Sequence, residues 1–159
     1  MVRIRPDRGP GAWLAYRSMS DASRTIVLNA WKAFASHDAD RIEAVFTEDA
    51  EWLAPPGNAT ALALNGPSHM IGRPAITRFL ADDFRRLFVS DVNIVFRAIH
   101  ATTDHVVVEE TMTATLANGG HYENDYCLVF ELRESLIHRV REYMDTTRAH
   151  RFLLGSGGA

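Results

Sequence analysis

One cysteine, Cys127, is all that the 159 residues contain. No internal disulfide can form, and a reducing, cytoplasmic setting is expected. Lysine is equally scarce: Lys32 stands alone, and arginine supplies the remaining positive charge. Those arginines are scattered rather than aligned on one face, and the formal net charge is −3. No affinity for nucleic acid or for an anionic membrane surface is expected from such a balance. No run of about 18 apolar residues is present to span a bilayer. The N-terminus, MVRIRPDRGPGAWLAYRS, is basic, but Pro6, Gly9, Pro10 and Gly11 interrupt it before an apolar stretch of signal-peptide length. Residues 1–19 read as a flexible arm, and residues 153–159, ending GSGGA, as a flexible tail. The seven histidines are dispersed, with no HExxH, HxH or Cys/His set, so neither a metal nor any other cofactor is expected.

What the sequence does have is one domain of ordinary size, residues 20–152, built in two textures. Ser20 and Asp21 predict a helix start, with Ile26, Val27, Ala30, Trp31 and Phe34 recurring on one face. HDADRIEAVF predicts a second, shorter helix, with Asp40 and Glu43 spaced as a capping box. AEWLAPP reads as a short strand stopped by Pro55 and Pro56, and Pro55 to Gly72 as a long loop of the kind that serves as a lid. Pro74 suits the first turn of a third helix carrying Ile76, Phe79, Leu80, Phe84, Leu87 and Phe88. The period then changes to two: Val92, Ile94, Phe96 and Ala98 alternate, and DHVVVEETMTATL, HYENDYCLVFEL and LIHRVREYMDT follow as three more strands. Asn118-Gly119 marks a hairpin between the second and third of these four. Helices first and antiparallel strands afterwards define an α+β domain, with about three N-terminal helices packed on one face of a curved sheet.

Within that pattern one acid is out of place. Side chains alternate faces along a strand, which puts Glu142 between Val140 and Met144 on a face that otherwise looks buried. A carboxyl among apolar neighbours is desolvated, its pKa rises, and it becomes fit for proton transfer. A second acid lies in the strand DHVVVEETMTATL. Either Glu109 faces inward with Thr111 and Thr113, or the more apolar set of Val106, Val108 and Met112 does, bringing Glu110 with it. Two acids on neighbouring strands can divide the acid and base roles. Asn124 and Tyr126 share their parity with Leu128 and can orient a carbonyl by hydrogen bonding. Trp52, Phe79, Phe84, Val140 and Met144 are expected in the wall of the pocket.

The order of two helices, FTEDAEWLAPP, a third helix and the ending G-x-x-Y-x-N…VFEL…I…REYMD resembles the SnoaL-like branch of the nuclear transport factor 2-like superfamily. Polyketide cyclases, limonene epoxide hydrolase, ketosteroid isomerase and phenazine-biosynthesis proteins are members of that group. The resemblance implies a cone enclosing a pocket, and a homodimer through the outer face of the sheet. It also implies a pocket-facing acid at Glu142, in the segment VREYMD. The match to any one chemistry is incomplete. Where the epoxide hydrolase has Arg-x-Asp this chain has Glu109-Glu110-Thr111, and the positions of that enzyme's Tyr and Asn fall near Trp52 and Ala54. The histidine and serine of the phenazine proteins fall near Phe79 and Asp83. The expected function is a cofactor-independent isomerase, cyclase or dehydratase acting on a small apolar or carbonyl-containing metabolite. In it Glu142 is the general acid/base, assisted by Glu109 and Tyr126, and Asn124 and Thr111 position the substrate. The alternatives are a non-catalytic ligand-binding or partner-docking module, and an epoxide hydrolase with a rearranged acid set.

Overall fold

The computed structural model describes residues 10–155, with side chains described from Arg17 onward. Residues 1–9 of the expected arm and 156–159 of the expected tail lie outside the described residues. The elements run α1 (Pro10–Ser36), α2 (Ala39–Glu43), β1 (Phe46–Leu53), α3 (Ala59–Leu64), β2 (His69–Ile71), α4 (Arg73–Arg78), a π-helical turn (Phe79–Asp83) and α5 (Phe84–Leu87). Four long strands follow, β3 (Phe88–Ala101), β4 (His105–Leu116), β5 (His121–Arg133) and β6 (Leu136–Met144), and then α6 (Thr146–Leu153). The six strands make one curved, unclosed sheet in the order β2-β1-β6-β5-β4-β3. Neighbours are antiparallel except β1 and β6, which run parallel.

The helix phase predicted from the sequence is the one that packs. Val27, Ala30 and Phe34 of α1 are buried against the sheet, and the Phe34 ring stacks on Phe46 at 5.6 Å. The start differs: α1 reaches back to Pro10, so residues 10–19, expected in the arm, continue the helix through Ser20 and Asp21. The cap of α2 is Asp38, which accepts from the Arg41 amide at 3.1 Å, and not Asp40. The hairpin falls as expected, with Gly119 at φ +81°, a conformation that residues with a Cβ adopt rarely.

The segment from Pro55 to Gly72 is not a loop throughout. Asn58 accepts from the Ala61 amide at 3.0 Å and caps α3, which Asn65 ends in the left-handed conformation at φ +52°. Capping at both ends makes a helix of only six residues. Asn58-Ala59-Thr60 spells a glycosylation sequon, but Asn58 is 3% exposed and its Nδ2 donates to the Pro55 carbonyl at 2.9 Å. The last strand does not simply exit either: Asp145 accepts from the Arg148 amide at 2.9 Å and opens α6. Phe152 of that helix packs on Tyr122 at 5.5 Å and closes one end of the sheet. Among the described residues no helix is long and apolar enough to cross a membrane.

Candidate active site

The hollow of the sheet is floored by four side chains in two cross-strand pairs. Glu142 on β6 lies opposite Leu128 on β5, and Tyr126, two residues back on β5, lies opposite Glu110 on β4. Phe96 on β3 extends the second pair. The two acids therefore stand on strands separated by one other and are offset by two residues along them, roughly 12 Å apart at the backbone. Trp31 and Phe34 of α1 and Phe79, Leu80 and Phe84 of the third helical segment form the roof, and the cavity between them holds about 970 Å³. That is room for a small organic molecule with several rings.

Glu142 is half-buried, its accessible surface opening onto the cavity. The Trp52 indole Nε1–H donates to its Oε2 at 2.7 Å. Trp52 is aligned for this because it pairs with Val140 in the parallel β1–β6 ladder, two residues from Glu142 on the same face. Burial pushes the Glu142 carboxyl up to about 7, and the indole hydrogen bond pulls part of the way back because it favours the charged form. Replacing Trp52 by Phe removes that donor. The expected result is a Glu142 pKa raised by roughly one pH unit, the size of a charge-assisted hydrogen bond. A carbon-detected NMR titration of the carboxyl measures it, and an unchanged pKa contradicts the assignment.

Glu110 is 3% exposed and its Oε2 has no hydrogen-bond partner. Burial, and secondarily the nearby Glu142 charge, lift it to about 8. Among the described residues no Lys or Arg lies against either carboxyl: the arginines that line the cavity, Arg78, Arg85 and Arg86, all belong to the segment around the π-helical turn. Tyr126 is held by burial well above the usual phenol range, and its hydroxyl shares a 2.5 Å hydrogen bond with that of Tyr122.

The cavity brings together Glu142, Tyr126, Trp52, Phe79, Phe84 and Leu128, all expected there. Glu109 is a correction. It is exposed on the outer face beside Cys127, and Glu110 takes the inner position. The reason is the apolar balance of β4: Val106, Val108, Met112, Ala114 and Leu116 are all buried at 5% exposure or less, and their parity fixes that of Glu110. Thr111 is likewise turned outward, accepting from Arg97 Nε at 2.6 Å and donating to Asp125 Oδ1 at 2.6 Å. Asn124 faces inward but lies fully buried outside the cavity, where its Nδ2 donates to the Asp145 carbonyl at 3.1 Å. Val140 is fully buried core, and Met144 borders a separate shallow depression with Arg97 and Cys127.

His37 lines the cavity although nothing in the sequence singled it out. In the π-helical turn the Phe84 amide donates to the Phe79 carbonyl, five residues back. The Leu80 carbonyl instead accepts from His37 Nδ1–H at 2.9 Å, which leaves Nε2 as the unprotonated nitrogen of the neutral ring. The same widened turn sets Phe79 and Phe84 edge to face at 6.3 Å in the roof.

A helix-roofed, half-open cone is the fold of the nuclear transport factor 2-like proteins, and solved structures of that fold superpose on this chain. An NTF2-like protein from Burkholderia xenovorans matches with a TM-score of 0.69 at 22% identity, over 84% of this chain and 97% of that one. TerC, co-crystallized with polyporic acid, matches with a TM-score of 0.71 at 22% identity, over 84% and 98%. An LEH-like epoxide hydrolase from M. tuberculosis matches with a TM-score of 0.66 at 19% identity, over 85% and 91%. At these identities the likeness is one of fold. Residues 27–140 match the SnoaL-like domain, and the chain belongs to that family. No curated protein matches the sequence.

Proposed function

We propose that the protein is a cofactor-independent enzyme that moves a proton on a small, largely apolar carbonyl compound, in an isomerisation, cyclisation or dehydration. The observation that carries this reading is the pair of carboxyls, Glu142 and Glu110, on one wall of an aromatic-lined cavity, with no cationic side chain beside them among the described residues. Their environments divide the roles. Glu142 has an N–H donor to stabilise its anion and serves as the base; Glu110 has none, keeps its proton at neutral pH and serves as the acid. Tyr126, tied to Tyr122, packs between them and shapes the floor. A homodimer through the outer face of the sheet belongs to the same proposal, supported by Val95 and Tyr143, which are 53% and 54% exposed.

The test needs no knowledge of the natural substrate. Deuterium incorporation next to the carbonyl of a panel of cyclic enones and aryl ketones in D2O is followed by proton NMR. The protein is expected to speed exchange at least about a hundredfold over buffer for one or more members, the low end of what a positioned base contributes. The rate should follow a bell with limbs near 7 and 8, where the coupled pair titrates. No exchange in any member, with the compounds shown to bind, returns the cavity to a binding role.

Epoxide opening is the second reading, favoured by the same pair. Glu142 would take a proton from water while Glu110 gives one to the epoxide oxygen, with no need for an Arg-x-Asp set. Diol formation from aryl epoxides, scored in the same panel, separates the two.

A further inference from the structure

The three arginines of the cavity lining are used by neither role, and they are all at its mouth. Arg78 and Arg86 have 69% and 65% of their side chains exposed. The π-helical turn gathers them: it brings Asp83, five residues on from Arg78, to 3.5 Å from the Arg78 Nε, while Arg86 Nη1 reaches the same carboxylate at 3.3 Å. One carboxylate thus holds two guanidinium groups at the rim, each with N–H donors to spare. Among the described residues Arg85, between them in the chain and also at the cavity, makes no salt bridge. Three arginines against two carboxylates, Asp83 beside them and Asp91 on β3, leave the mouth net positive in a chain whose net charge is −3. The start of β3 lines the same mouth, where Val89 and Val92, 52% and 42% exposed, stand beside Ser90, Asp91 and Asn93.

We propose that this mouth is a subsite for an anionic group, and that the natural ligand is an amphiphile with a neutral, oxygen-bearing body inside the cavity and a carboxylate outside it. The proposal rests on the cavity being the ligand site argued above, and adds the class of molecule that fills it. Inside, the Glu142 carboxylate repels an anionic group, and aromatic walls accept an apolar body. At the rim, guanidinium groups recognise a carboxylate through paired N–H donors. Val89 and Val92 would lie along the alkyl or aryl stretch that joins the two ends.

Anilinonaphthalene sulfonate and phenylnaphthylamine share one arylaminonaphthalene body, and only the first carries an anion. Both are titrated by fluorescence into the full chain and into the R85Q/R86Q variant. In the wild type the sulfonate is expected to bind about tenfold tighter at low salt, an advantage that shrinks on adding salt because exposed charges are screened. In the variant the advantage disappears while the affinity for phenylnaphthylamine and the melting temperature are unchanged. Decanoate should then displace phenylnaphthylamine from the wild type better than decanol does. Equal affinities in the wild type, or an advantage that survives the double substitution, overturn the rim subsite and leave the cavity reading standing. Failure of both probes to bind overturns the two together.

Discussion

Replacing Glu142 by Gln is expected to lower the exchange rate by about a thousandfold, within the range that a positioned general base contributes, and to leave the fold intact. Gln matches Glu in shape, and its amide oxygen can still accept from the Trp52 indole N–H that now sits 2.7 Å from Oε2. No apolar burial is lost, so the melting temperature at neutral pH should not fall. What disappears is the group able to take a proton. Removing the Glu142 charge also relieves Glu110, whose pKa of about 8 is raised partly by that charge. Any residual activity should therefore show its alkaline limb at lower pH than the wild type. Binding of a neutral aryl ketone should change little, because the cavity walls are untouched, so the loss falls on kcat. A Glu142→Gln enzyme with wild-type exchange rates would remove Glu142 from the mechanism outright. A variant that has lost both binding and thermal stability would mean that the carboxylate is structural.

The fold was legible because its signals are long and redundant. Tyr122, Tyr126, Leu128, Phe130 and Leu132 at every second or fourth position of β5, or a face of Val27, Ala30 and Phe34 in α1, survive an error at any one position. The short elements were not, because their signals are single contacts. The helix Ala59–Leu64 depends on one Asn58 side chain finding one amide, inside a segment whose Pro, Gly and Asn content otherwise reads as loop. Helix α1 runs on to Pro10 through a region whose Ser20-Asp21 pair looks like a start. A cap residue reads as a cap only if the chain before it is not already helical.

The same distinction separates the halves of the site. Glu142 stands out in β6 because its neighbours of like parity, Val140 and Met144, are apolar. Glu110 has the same signature between Val108 and Met112, but Glu109 beside it shares a face with Thr111, Thr113 and Thr115, which look equally suited to a pocket. The tie breaks on bulk: five apolar residues stand on the Glu110 face against Val107 and three threonines on the other, and the larger apolar set takes the buried side. His37 carried no signal at all. Its place depends on a π-helical turn more than forty positions away in the chain, whose Leu80 carbonyl accepts the imidazole proton.

Replacing Glu110 by Gln is expected to stabilise the protein, and only at neutral and alkaline pH. Below about pH 4.5 the carboxyl is protonated in the folded and the unfolded chain alike, and it adds nothing to the difference between them. As the pH rises from 4.5 towards about 8 the unfolded chain releases its proton while the folded chain keeps it. The unfolded state then binds fewer protons than the folded state, so stability declines with pH across this window, and the whole loss is present above it. Each pKa unit is worth about 1.4 kcal/mol, which after relaxation of the site leaves a penalty on the order of 2–4 kcal/mol at pH 8 and above. Gln cannot ionise and keeps the volume, so the variant should melt about 5–10 °C higher than the wild type at pH 8, the span that such a gain produces in a chain of this size. At pH 5 the gap should close almost entirely. Because Glu110 is also the proposed acid, the stabilised variant should turn over ketones at least about a hundredfold more slowly. Gained stability with lost activity is the mark of a group held in an unfavourable state for the sake of its chemistry. A gap that is equal at pH 5 and pH 8 would show that the substitution improves packing and that Glu110 is no titrating group. A variant less stable than the wild type at pH 8 would mean that the carboxylate has a partner in solution, and would exclude it as the acid.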